Sequence, residues 1–197
     1  MEAFSDGVVA ILITIMVLDL KVPQGAALVD LVPLAPVFGS YVLSFALLGT
    51  YWNNHHHLLQ ASTVVNGRVL WANLFLLFSL SLVPFATAWM GETDFAPIPT
   101  AVYGLASLVA ALAFLLVVHA LIATPGQAPA LAAAIGSDRK GIVSPVLYAI
   151  AIPFALFAPV IALLLYVGVV SVWLVPDLRI ERRLASSSPT GRGDRDA

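Results

Sequence analysis

Apolar runs long enough to cross a bilayer recur along this chain, each bounded by proline, glycine or charge. Nothing else constrains its fold so strongly. Hydrocarbon offers a backbone no hydrogen-bond partners, and a helix meets that by bonding its own N–H and C=O groups. Composition agrees. The chain is 60% hydrophobic and 10% charged, where a soluble domain carries about 25% charged residues. It reads as an all-α integral membrane protein lying in a lipid bilayer.

A crossing helix takes about 20 mainly apolar residues. The first candidate covers Ser5 to Leu20, with Ser5 and Asp6 placed to cap its first turn through their side-chain oxygens. The second runs from Leu34 to His56, opened by Pro33 and Pro36 and closed by Tyr51-Trp52-Asn53-Asn54-His55-His56-His57, an aromatic and polar mixture suited to a water–lipid interface. Arg68 precedes the third, Val69 to Met90, in which Pro84 predicts a kink. The fourth covers Thr100 to Ile122 behind Pro97 and Pro99. From Ile142 to Val175 lie about 34 apolar residues, too many for one ordinary span. Pro153 and Pro159 divide them into Val143 to Leu156 and Pro159 to Trp173, joined by a tight turn, with one long kinked helix as the alternative. The expected organisation is a six-helix transmembrane domain over residues 1–180 and a disordered cytoplasmic tail over 181–197.

Basic residues test that count. With six spans, Arg68, Arg139, Lys140, Arg179, Arg182, Arg183, Arg192 and Arg195 share the side of the termini, and Lys21 stands alone on the other. The positive-inside rule then makes both termini cytoplasmic. The N-terminus lacks the basic region of a secretory signal, with Asp6 where lysines belong, so the first run is expected to stay in the mature protein.

The first run carries no charge from Gly7 to Leu18. On a helix Ile11, Thr14 and Leu18 share one face, two aliphatics with a hydroxyl between them, and Ile15 at i+4 is nearly as well placed. That face is expected to line an ion pathway. Asp6 lies close to a span, where an ionisable group is a functional candidate as well as a possible cap.

The histidine run His55-His56-His57 suggests a metal at first sight. Successive helical residues, however, point about 100° apart, so the three imidazoles cannot converge on one ion. Hydrogen bonds from them to Ser5 and Asp6 on another helix are expected instead, with Trp52 and His55 packed on a shared face. His119 and Asn73 fit interhelical hydrogen bonds. No bound metal or cofactor is expected. The absence of cysteine excludes disulfides and thiolate sites, and the near-balanced charge of −2 gives no case for nucleic acid. No carbonyl filter of the TVGYG type occurs, and with no nucleophile elbow, phosphate loop or HExxH the chain is not expected to be an enzyme.

Phe4-Ser5-Asp6-Gly7, followed by an aliphatic run ending Leu18-Asp19-Leu20-Lys21-Val22-Pro23, resembles the opening of prokaryotic members of the transmembrane protein 175 family, relatives of the endolysosomal potassium channel. Trp52-Asn53-Asn54-His55-His56 resembles that family's second motif, and Trp71, Asn73, Leu82, Pro84 and Thr87 before Gly91-Glu92 are similar too. So are Ser144-Pro145, Tyr148, Trp173 and Pro176, and the likeness extends to about residue 180. The resemblance implies six helices per subunit and a homotetramer whose first helices line a central pore. It implies a hydrophobic ring at Ile11, a hydroxyl ring at Thr14, a second aliphatic ring at Leu18, and no carbonyl filter. Phe4, Ser5 and Asp6 would form a hydrogen-bonded network with Trp52, His55 and His56 that fixes the pore helix. The implied function is a K+-permeable channel of modest selectivity among monovalent cations, in a bacterial or archaeal plasma membrane. One departure stands out: the family's arginine, four residues before the phenylalanine, would fall before Met1. A secondary or proton-coupled transporter using Asp6 and the second-helix histidines is the alternative, and a non-conducting assembly protein a third.

Overall fold

The computed structural model describes residues 1–62, 64–125 and 139–174. Helix α1, Glu2–Ile15, tightens into a 3₁₀ turn over Met16–Asp19. A second 3₁₀ segment, Leu28–Leu34, leads into α2, Ala35–Gln60. Then follow α3 (Gly67–Ser81), α4 (Val83–Glu92), α5 (Pro97–Ile122), α6 (Arg139–Phe157) and α7 (Pro159–Leu174). Three stretches, Leu28–Gln60, Gly67–Glu92 and Pro97–Ile122, are long and apolar enough to cross a membrane, and Gly141–Phe157 and Pro159–Leu174 are shorter apolar helices.

The first helix begins earlier than Ser5. The Ser5 amide already bonds the Met1 carbonyl at 3.0 Å, so Ser5 and Asp6 lie inside α1 rather than at its cap. Their side chains are released from capping and reach other helices. Pro84 acts as expected. Without an N–H it cannot bond back to the previous turn, and α3 breaks from α4 at Leu82, whose amide turns to Ser79 O at 3.3 Å. Asn66 starts α3 by accepting the Val69 amide on Oδ1 at 3.0 Å, and its Nδ2 donates to Thr124 Oγ1 at 2.9 Å, clamping the start of α3 to the end of α5.

The long apolar run resolves into two helices. Trp173 Nε1, near the end of α7, donates to Ser144 Oγ, near the start of α6, at 2.7 Å. One continuous helix would hold those residues about 1.5 Å apart per intervening position. The reversal occurs at Ala158, immediately before Pro159. The expected disordered tail, 181–197, lies outside the described residues.

Helix α5 is the hub, packing on α3, α4, α6 and α7. Small residues let it close in: Ala106, Ala110 and Ala113 are buried, as are Ala151 and Ala155 of α6 and Ala162 of α7. Tyr103, Tyr148 and Tyr166 fill the space between, with centroids 5.4 Å apart for Tyr103–Tyr166 and 5.9 Å for Tyr148–Tyr166. Tyr166 donates its hydroxyl to Thr100 O at 3.1 Å, and a Cβ at position 104 would strike that hydroxyl, which accounts for Gly104. Ser44 Oγ bonds Thr87 Oγ1 at 2.7 Å and donates to Tyr103 Oη at 3.2 Å, tying α2, α4 and α5. Helix α1 lies at the flank of this core, on α2 and α3.

Candidate ion pathway and the network behind it

The two sides of α1 differ in kind. Ser5, Val9 and Met16 are buried against the bundle, with Leu12 and Ile13 partly so. Phe4, Gly7, Ile11, Thr14, Ile15 and Leu18 all face outward. Ile11 is 62% exposed and Leu18 79%. The outward residues recur at three and four positions, so a straight stripe runs the length of the helix. Along it Thr14 supplies the hydroxyl. Its Oγ1 donates back to the backbone, 2.9 Å from Ala10 O and 3.0 Å from Ile11 O. With its proton held by the helix, the oxygen keeps lone pairs to turn outward. Ile11, Thr14, Ile15 and Leu18 are therefore placed together on one open face, and the structure holds Ile15 there as well as Thr14.

The inward side is pinned by polar groups. Asn73 of α3 is 2% exposed and stands at the centre. Its Nδ2 donates to Ser5 Oγ at 3.0 Å, and its Oδ1 lies 2.6 Å from His55 Nε2. An amide oxygen only accepts, so His55 carries a proton on Nε2. One asparagine thus joins α1, α2 and α3. Such bonds between membrane helices are worth about 0.6–2 kcal/mol. Leaving a buried partner unpaired costs about 1–3 kcal/mol.

A second group lies further out. Trp52 Nε1 donates to Asp6 Oδ1 at 2.9 Å. His56 Nδ1 stands 3.2 Å from Glu2 Oε1 and 3.7 Å from Asp6 Oδ2, and His56 Nε2 is 2.9 Å from Gln60 Nε2. Trp52 stacks on His56, one turn on, with centroids 5.6 Å apart, and not on His55 as the three-residue spacing suggested. The reason is that His55 is drawn inward to Asn73. The three histidines diverge: His55 to Asn73, His56 to the acids of α1, and His57 edge-on to His56 at 5.9 Å. Glu2, Asp6 and His56 offer ligand atoms within 4.8 Å of one another, the group among the described residues able to hold an ion. Here they stand between α1 and α2.

Not every expected member joins. Phe4 is exposed beside Gly7 and Ile11, and its ring has no donor or acceptor to contribute. Three members were not foreseen at this site. Asn73 was legible as a lone amide in an apolar span. Glu2 stands four residues before Asp6, and Gln60 four after His56, each one helical turn from a named residue. His119 turns its Nδ1 to its own helix, 2.7 Å from Leu115 O.

The first helix thus carries an open apolar stripe with one hydroxyl, braced from behind by buried amide, hydroxyl and imidazole groups. Comparison with known proteins says to which class the chain belongs. Residues 1–84 match the family described as the endosomal/lysosomal potassium channel TMEM175. A protein named as a potassium channel from Chryseobacterium sp. (strain P1-3) is 48% identical over 184 residues, covering 93% of this chain and 96% of that one. A second potassium channel, from Streptomyces collinus, is 37% identical over 57% of this chain and 59% of its own length. The crystal structure of a lysosomal potassium-selective channel TMEM175 homolog from Chamaesiphon minutus superposes with a TM-score of 0.70 at 30% identity, covering 95% of this chain and 96% of that chain. The chain belongs to the TMEM175 potassium channel family. It is accordingly a membrane protein, and its relatives, being channels, are not enzymes.

Proposed function

We propose that this chain is a potassium-permeable cation channel whose pathway is lined by α1, with six membrane spans per subunit and four subunits around the pore. The observation that carries the reading is the outward stripe of Ile11, Thr14 and Leu18 on a helix whose other face is fastened by Asn73. Among the described residues of one copy, nothing covers that stripe. Four copies would turn it inward on a common axis. Near-complete coverage by a relative named as a potassium channel supports the same use.

The mechanism is physical. A ring of Ile11 side chains drawn close to the axis excludes water, and a dewetted constriction blocks ions. A small splay or rotation of α1 opens it. Thr14 oxygens then replace part of a cation's hydration shell, which favours the more weakly hydrated K+ over Na+ by a modest factor. The bonds of Ser5 and Asp6 to α3 and α2 hold the register of α1, so opening moves α1 with its brace. Both termini lie on the cytoplasmic side, as Arg68 and the other basic residues of that side require.

Flux from purified protein in liposomes tests this. A K+ gradient should drive faster flux than an equal Na+ gradient, without saturating as a carrier would. Saturable flux coupled to pH and abolished by Asp6→Asn would establish the transporter reading instead. No flux from well-folded protein would leave an assembly role.

A further inference from the structure

We infer that Asp19 sets the rate at which cations enter the pathway from the end remote from the termini. The inference rests on the reading of α1 as the pore helix and assigns its mouth.

Asp19 directly follows Leu18, the last residue of the outward stripe, at the end of the 3₁₀ turn that closes α1. It is exposed, and among the described residues its carboxylate makes no hydrogen bond or ion pair. The neighbouring base does not neutralise it. Lys21 Nζ is held by Glu92 Oε1 at 2.7 Å, across to the end of α4. That contact also shows that the α1–α2 connection and the α4–α5 connection meet at one end of the bundle. The charged residues of those connections are Asp19, Lys21, Asp30, Glu92 and Asp94. Four carboxylates against one ammonium leave a net −3 per copy. Asp30 Oδ2 is engaged locally by the Ala27 amide at 2.9 Å, and Glu92 by Lys21. Asp19 is the carboxylate adjacent in sequence to the stripe and unpaired.

A carboxylate there acts through its field, without contact. Acidic rings raise the local cation concentration at pore mouths. The field reaches about 30 Å at 0.01 M salt and about 3 Å at 1 M. Its effect on entry must therefore be large in dilute salt and vanish in concentrated salt. It must also favour current entering from the Asp19 end over current entering from the other.

Single-channel recording in planar bilayers tests this with Asp19→Asn and Asp19→Glu beside the native chain. The asparagine variant should conduct about twofold less or lower still in ~0.01 M KCl for K+ entering from the Asp19 end. It should match the native chain in ~1 M KCl, where the field is screened. Asp19→Glu should conduct as the native chain does in both. An equal loss at both salt concentrations would mark a structural change and overturn the inference. So would native conductance of Asp19→Asn in dilute salt. If the native chain itself passes no current, the pore reading fails and the inference with it. A conducting native chain with an unaffected Asp19→Asn refutes the inference alone.

Discussion

Ser5 and Ile11 stand on the same helix, under two turns apart, and meet opposite surroundings. Ser5 is 1% exposed and takes a hydrogen bond from Asn73 on its side chain, whereas Ile11 is 62% exposed and its side chain carries no polar group. The polar residue is inside and the aliphatic one outside, the reverse of a water-soluble helix. In lipid, apolar burial supplies no driving force between helices, so polar bonds and close packing do the fastening. An aliphatic residue is free to face outward at little cost. The braced side therefore governs whether α1 is held, and under the proposed function the open side governs what passes along it.

Substitutions on the two sides should separate accordingly. The largest effect is expected from Asn73→Leu, which orphans both Ser5 and His55 and removes the link among α1, α2 and α3. At about 1–3 kcal/mol for each orphaned group, thermal unfolding in detergent should shift to clearly lower temperature. Unchanged stability would show that the bonds hold nothing. Ile11→Asn should do the opposite, leaving the unfolding temperature near the native value while raising ion flux. Each 1.4 kcal/mol or so removed from the dewetting barrier gives about tenfold. A silent Ile11→Asn would break the contrast between the sides. Thr14→Val keeps the shape and deletes the hydroxyl. The K+ to Na+ permeability ratio, read from reversal potentials, should fall by about two- to fivefold, the worth of roughly 0.5–1 kcal/mol for one net hydrogen-bond-like contact. Trp52→Phe retains stacking on His56 and loses the bond to Asp6. It should cost about 0.5–1 kcal/mol and leave selectivity untouched. Altered selectivity in that variant would mean that the brace reaches into the pathway.

Much of this was legible in the residues, for reasons that differ by feature. The spacing of Ile11, Thr14 and Leu18 places them together on any helix, so the stripe could be read before its surroundings were known. Pro84 announced the break between α3 and α4 and Pro159 the reversal between α6 and α7, through a missing N–H, whereas Pro153, read beside Pro159, lies inside α6 and does not end it. What was not legible depended on other helices. Ser5 and Asp6 were readable both as caps and as partners of the second-helix histidines, and only the position of α3 and α2 shows that Ser5 meets Asn73 and Asp6 meets Trp52. Trp52 could stack three or four residues on, and the pull of Asn73 on His55 decided between them. Glu2 and Gln60 gave no signal beyond a one-turn spacing. The bond of Lys21 to Glu92 joins residues about 70 positions apart, which no periodicity connects.

The native chain has no cysteine, which suits one measurement above the others. Single cysteines placed in turn from position 8 to position 18 can be tested for block by a charged, thiol-reactive reagent during K+ flux. The account predicts block at Ile11→Cys, Thr14→Cys and Leu18→Cys, and indifference at Val9→Cys and Met16→Cys. Ile15→Cys then reports how far the stripe extends around the helix. Block at Val9 and Met16 with none at Ile11, Thr14 and Leu18, in variants that still conduct, would place the pathway on the other side of α1 and contradict the account.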